Sequence, residues 1–157
     1  MIPDALSALL ENPVMMVMAT RDAALRPAIA RALGCHLVED GRAMDIFVSR
    51  AQWPDAVANC APGAPIAFTF CRPSDYRTFQ VKGAVVEIAA AAGPDADRAE
   101  AYRGAMAAEL MALGVPPHQI EHWLRAGDVV RIRFLTHESF AQTPGPGAGA
   151  RMGPEPA

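Results

Sequence analysis

Four side chains in this 157-residue sequence have the types and spacing to hold a small anion: Gln80 and Lys82 within one stretch, Ser49 and Arg50 in another. A phosphate group carries roughly −1.5 to −2 charge and calls for charge-assisted donors. Residues 76–88, YRTFQVKGAVVEI, present the first pair. Up to Gly83 the alternation is half polar, with Phe79 and Val81 on one face and Thr78, Gln80 and Lys82 on the other. Beyond Gly83 both faces are mostly apolar. Such a strand suits a curved sheet with Gly83 at a bend or bulge, and its polar half lines a groove. The second pair begins Ser49-Arg50-Ala51-Gln52, the S-x-x-Q form of a capping box, which announces a helix through about Cys60 with Pro54 in its first turn. Free backbone N–H groups beside Arg50 would stabilise an anion by about 0.3–1 kcal/mol from the helix dipole.

Other reactive side chains point elsewhere. His118-Gln119-Ile120-Glu121-His122 has the H-x-x-E-H form of a zinc site, but its helix starts at Pro116-Pro117 and stops by Gly127, so a solvated helix face is expected. His36 and His137 are isolated and read as hydrogen-bonded structural histidines. Cys35 and Cys71 lie within strands as small buried apolar groups. Trp53 and Trp123 read as core or interface anchors. No spacing assigns a Ser-His-Asp or Cys-His arrangement, and no glycine-rich nucleotide loop occurs.

The elements that must position these residues follow from periodicity. Leu6, Leu9 and Leu10 mark a short opening helix, and the apolar run 14–19, VMMVMA, suits a strand buried on both faces. Along 26–38, Ile29, Leu33, Cys35 and Leu37 alternate with Ala28, Ala30, Ala32 and Gly34, leaving one face nearly bare for a flat ligand or a second subunit. Asp40-Gly41 gives a hairpin turn into a third strand over 44–49. A fourth strand over 65–71 places Ile66, Phe68 and Phe70 inward and pairs with the stretch around Lys82. A helix capped by Asp95 carries Ala99, Tyr102, Met106, Leu110 and Leu113 on one face and ends at Gly114. A shorter helix presents Ile120, Trp123 and Leu124. A last strand over 129–135 sets Arg131 and Arg133 opposite Val130, Ile132 and Phe134. The expected fold is mainly β, a six-stranded antiparallel barrel with peripheral helices. It forms one domain over residues 1–140, followed by a flexible Gly/Pro-rich tail over 141–157 that is mobile unless docked.

Composition narrows the function. The length suits one domain with a sizeable core, and 52% hydrophobic with 20% charged residues is globular. A net charge of −3 leaves no broad basic field, so no nucleic-acid partner is expected. Three cysteines without paired spacing suit reduced thiols. No apolar stretch approaches the length of a membrane span and no basic segment precedes an apolar run at the start, so a cytoplasmic protein is expected, without a membrane partner.

The element order, with Arg26-Pro27-Ala28-Ile29, Val48-Ser49-Arg50-Ala51-Gln52 and Gln80-Val81-Lys82-Gly83 on the second, third and fifth strands, resembles the FMN-binding split-barrel superfamily of pyridoxamine 5′-phosphate oxidase. The resemblance implies a six-stranded split barrel and a homodimer with two FMN sites at the subunit interface. By position, Arg26, Ser49, Arg50 and Lys82 would hold phosphate. Val48, Gln52 and Gln80 would edge the ring or ribityl chain, and Pro27 and Ile29 would lie at the flavin. The tail TPGPGAGARMGPEPA departs from the oxidase's Arg- and Trp-bearing C-terminal signature, and Ala51 or Gln52 stands where adjacent Arg and Lys are usual. The expectation is therefore an FMN-dependent oxidoreductase of another small molecule, with its cations ringing one floor. Alternatives from other classes are a haem-binding or sensing barrel using His36 or His137, and a cofactor-free dimeric scaffold.

Overall fold

The computed structural model describes residues 2–153. Six strands close an antiparallel barrel: β1 (Met15–Arg21), β2 (Pro27–Val38), β3 (Ala43–Ser49), β4 (Pro65–Cys71), β5 (Thr78–Ala90) and β6 (Val129–Ala141). A two-residue β7 (Arg151–Met152) lies outside it. The order is β3-β2-β1-β4-β5-β6-β7, and pairing of β3 with β6 closes the ring. Helix α1 (Asp4–Leu10) precedes β1, α2 (Pro54–Ala58) lies between β3 and β4, and α3 (Pro94–Ala112) and α4 (Pro117–Trp123) lie between β5 and β6.

Alternation within each strand fills the barrel. Met16 and Met18, Phe68 and Phe70, Val81, Ile132 and Phe134 point inward, with the Phe68 and Phe70 rings edge to face at 4.8 Å. A second apolar cluster joins the outer sides of β2 and β3, through Leu33 and Phe47, to Met106 and Leu110 of α3 and Ile120 of α4. The strand buried on both faces is therefore β3, not 14–19: Met15, Val17 and Ala19 of β1 turn outward and are half-exposed.

Three further expectations change. The bare side of β2 is not open, because Ala30 and Ala32 are packed into the barrel core. A register shift between Ala32 and Cys35 lets Leu33 face α3. On α3 the buried face stops at Leu110; Leu113 is 48% exposed, and Gly93, not Asp95, precedes the helix. The capping-box helix shrinks to Pro54–Ala58, because Ser49 accepts from the Gln52 N–H only within a turn that comes before it.

Gly83 behaves as its sequence position suggests. The register between β5 and β6 shifts there, so that Lys82 faces Glu138 while Gly83 faces Thr136 and His137 is the extra residue. A Cβ on Gly83 would fall 1.8 Å from the Leu135 carbonyl oxygen, so only glycine permits this approach. Beyond Leu135, β6 leaves β3, and residues 139–140 pair instead with β7. The C-terminal stretch thus returns onto the barrel as far as Gly153, and its last four residues, 154–157, lie outside the described residues.

Candidate functional site

Outward-facing residues of five adjacent strands form continuous cross-strand rows. One row runs Ile29–Ala19–Ala67–Lys82–Glu138 and the next Arg31–Val17–Thr69–Gln80–Phe140. Small residues in the centre of the first row leave a groove of about 390 Å³, with Ala19, Ala67 and Pro65 on its floor and Arg21, Lys82, His137 and Glu138 along its sides. Lys82 is the single lysine of the chain. Its Nζ stands 4.8 Å over the Phe140 ring, and Gln80 Nε2 donates to Thr69 Oγ1 at 3.1 Å. His137 reaches the groove because the bulge opposite Gly83 makes it the extra residue on β6. Ile29, at 61% exposed, puts an apolar side chain at the end of the row.

The remaining sequence candidates lie elsewhere in the chain. Ser49 faces Val129 and Lys82 faces Glu138, nine residues apart on β6; at roughly 3.3 Å per residue this is about 30 Å. The expectation that Arg50 and Lys82 ring one floor therefore does not hold within a single chain. Ser49 Oγ is buried and committed: it donates to the Gly127 carbonyl at 2.7 Å and accepts from the Gly127 N–H at 3.1 Å. Gln52 Nε2 donates to the His122 carbonyl at 2.7 Å, and its Oε1 is buried without a partner among the described residues. An unpaired acceptor repels phosphate oxygens. Val48 is a fully buried core residue, so its side chain faces away from any outer ligand. Arg50 remains half-exposed, its Nε 3.3 Å from Asp128. Arg26 binds Asp22 at 2.7 Å and, with Pro27, borders a different groove that also carries Asp55. The Arg26 backbone N–H is the chief cause holding the Asp22 carboxyl below its usual range.

No family model matches the chain, and no curated protein does. Among solved structures, HupZ of Group A Streptococcus superposes with a TM-score of 0.54 at 22% identity, over 95% of this chain and 100% of that one. A putative pyridoxamine 5′-phosphate oxidase from Lactobacillus delbrueckii also gives 0.54, at 15% identity, over 89% and 93%. The fold is a split barrel. The resemblance seen in the sequence thus holds at the level of fold.

On this split barrel, the residues sequence reasoning missed are Arg21, Ala19, Ala67 and Glu138. Ala19 ends the uniformly apolar run 14–19, and its outward position follows only from pairing with Ile29 and Ala67. Arg21 follows two residues later on the same face, so the period-2 alternation of β1 could have found it. Among the described residues, no group of three or more His, Cys, Asp or Glu clusters as a metal site would, and no helix is long and apolar enough to cross a membrane. His118, Glu121 and His122 are exposed on the seven-residue α4. Burial pushes the Cys35 thiol up to about 12 and the Cys60 thiol up to about 11, so both stay protonated at neutral pH.

The donor set of the outer groove fits a flat anion. Its floor lacks long side chains and its walls carry Lys82, Arg21 and an imidazole beside the Glu138 carboxylate, while the Gln80 amide one row away already donates to Thr69. The turn at the end of β3 does not fit on its own: its hydroxyl and amide N–H groups are already used within the chain.

Proposed function

We propose that the protein is a flavoprotein that binds FMN non-covalently in the groove between β1, β4, β5 and β6, acting as a cytoplasmic, FMN-dependent oxidoreductase of a small molecule. The observation carrying this reading is the lone lysine beside a floor of Ala19 and Ala67. Lys82 and Arg21 would hold the phosphate, the alanines would let a planar ring approach the strands, and Gln80 and Ile29 would border it. When bound, FMN supplies two-electron chemistry, and the chain's part is binding, orientation and exclusion of water. A homodimer belongs to the same reading: a second copy would cover Ile29 and bring its own Arg50, half-exposed on each chain, toward the groove. Titrating the protein into FMN should quench flavin fluorescence saturably, and Lys82→Ala should weaken binding by about tenfold, as for one charge-assisted hydrogen bond.

One observation supports a second reading, haem. His137 lines the groove, where an imidazole could ligate iron. Hemin should then give a Soret band that disappears in His137→Ala. A band that persists in that variant argues against His137 as the ligand.

A further inference from the structure

The short outer strand carries the last arginine of the chain to the edge of the groove. Past the end of β3, the open edge of β6 is taken by β7, with Ser139 opposite Met152 and Phe140 opposite Arg151. The return is closed by hydrogen bonds: the Gly149 N–H donates to the Ala141 carbonyl at 2.7 Å, and the Ala141 N–H to the Ala150 carbonyl at 2.9 Å. Arg151 Nη2 then lies 3.2 Å from Glu138 Oε1. Glu138 is also the residue directly opposite Lys82, and both line the groove. Opposite charges facing each other across a ladder attract and ordinarily pair. Here the carboxylate reaches away from β5 to Arg151, and the ammonium stands over the Phe140 ring.

We propose that Arg151 is a positioning residue for Lys82: by engaging Glu138 it keeps the chain's one lysine available to a phosphomonoester anion in the groove. Without Arg151, Glu138, directly opposite on β6, is released to pair with Lys82 and competes with the anion. The ligand half of this statement rests on the reading of the groove as an anion site; the Arg151 half can be tested on the lysine itself.

Because the chain has one lysine, acetylation of its ε-amine reports a single side chain, read by peptide mass spectrometry on the intact protein treated at fixed pH. A carboxylate paired with an ammonium favours its protonated form, which does not acylate. For an exposed pair of this kind, Arg151→Gln should slow Lys82 acetylation roughly two- to fivefold. The double variant Glu138→Gln with Arg151→Gln should return the rate to that of the unmodified sequence, which a merely structural role for Arg151 would not produce. An unchanged rate in Arg151→Gln, or a double variant as slow as the single one, overturns the proposal. FMN protection of Lys82 in the unmodified protein is a separate readout: slowing by Arg151→Gln without such protection upholds the Arg151–Glu138–Lys82 relation and removes the cofactor.

Discussion

Lys82 and Ser49 are both polar residues on strands, and in sequence they read as members of one phosphate site. Their surroundings separate them. Lys82 projects from a half-exposed outer surface toward an aromatic face and an open groove. Ser49 is buried, and its hydroxyl both donates to and accepts from Gly127, tying the end of β3 to the turn before β6. Ser49→Ala should therefore cost about 1–3 kcal/mol of stability, since it orphans the Gly127 groups, while leaving FMN affinity unchanged; denaturant unfolding and an FMN titration on the same sample check both. The strand holding Lys82 was legible because Thr78, Gln80 and Lys82 alternate with Phe79 and Val81. The fate of Ser49 was not, because its partner lies 78 residues away.

At the scale of elements, β3, β5, β6 and α3 are joined by a charged cluster. Asp45 is buried and receives Arg133 Nε at 2.7 Å and Nη2 at 2.8 Å, while Arg131 lies 3.5 Å away and also reaches Glu87 at 3.0 Å and Asp95 at 3.5 Å. Burial alone would raise the Asp45 pKa, but the Arg133 hydrogen bonds and charge, followed by Arg131, hold it below its ordinary 3.8. A carboxyl depressed in the folded state gives stability that is present in full above its unfolded pKa and is lost as pH falls through the folded value. Stability should thus be flat from neutral pH down to about 5 and decline below about 4. Asp45→Asn should remove about 2 kcal/mol at pH 7, less than for a fully buried pair because Arg133 still reaches solvent, and should flatten the acid decline. Urea melts across pH read both. The strand pattern places Arg131 and Arg133 on one face, but their partner Asp45 is set by the register of β3 against β6, which the sequence pattern does not contain. Gly83 shows the opposite case: the change of pattern in 76–88 marked the bulge, while its consequence, His137 turned to the groove, depends on the partner strand.

For the whole molecule, the closed barrel and its helices follow from alternation and helical spacing, so the fold was largely legible. The grouping of site residues was not, because barrel strands of seven to thirteen residues carry side chains to opposite ends of the barrel. Ile29, exposed beside Ala19 and the groove, belongs on our reading to the surface that a second copy covers. Light scattering should give twice the chain mass, and Ile29→Asp should shift the protein toward monomer by at least about tenfold in dissociation constant, from burying a charge in an apolar contact. A monomer in the unmodified protein would confine any ligand contacts to Lys82, Arg21 and their neighbours and exclude a contribution from Arg50.

The central claim is that the small-floored groove beside the single lysine receives FMN. Its most direct measurement is the fluorescence of FMN titrated with the unmodified protein and with Lys82→Ala. Saturable quenching that weakens about tenfold in the variant is the predicted result. No quenching, or equal quenching by both proteins, would contradict it.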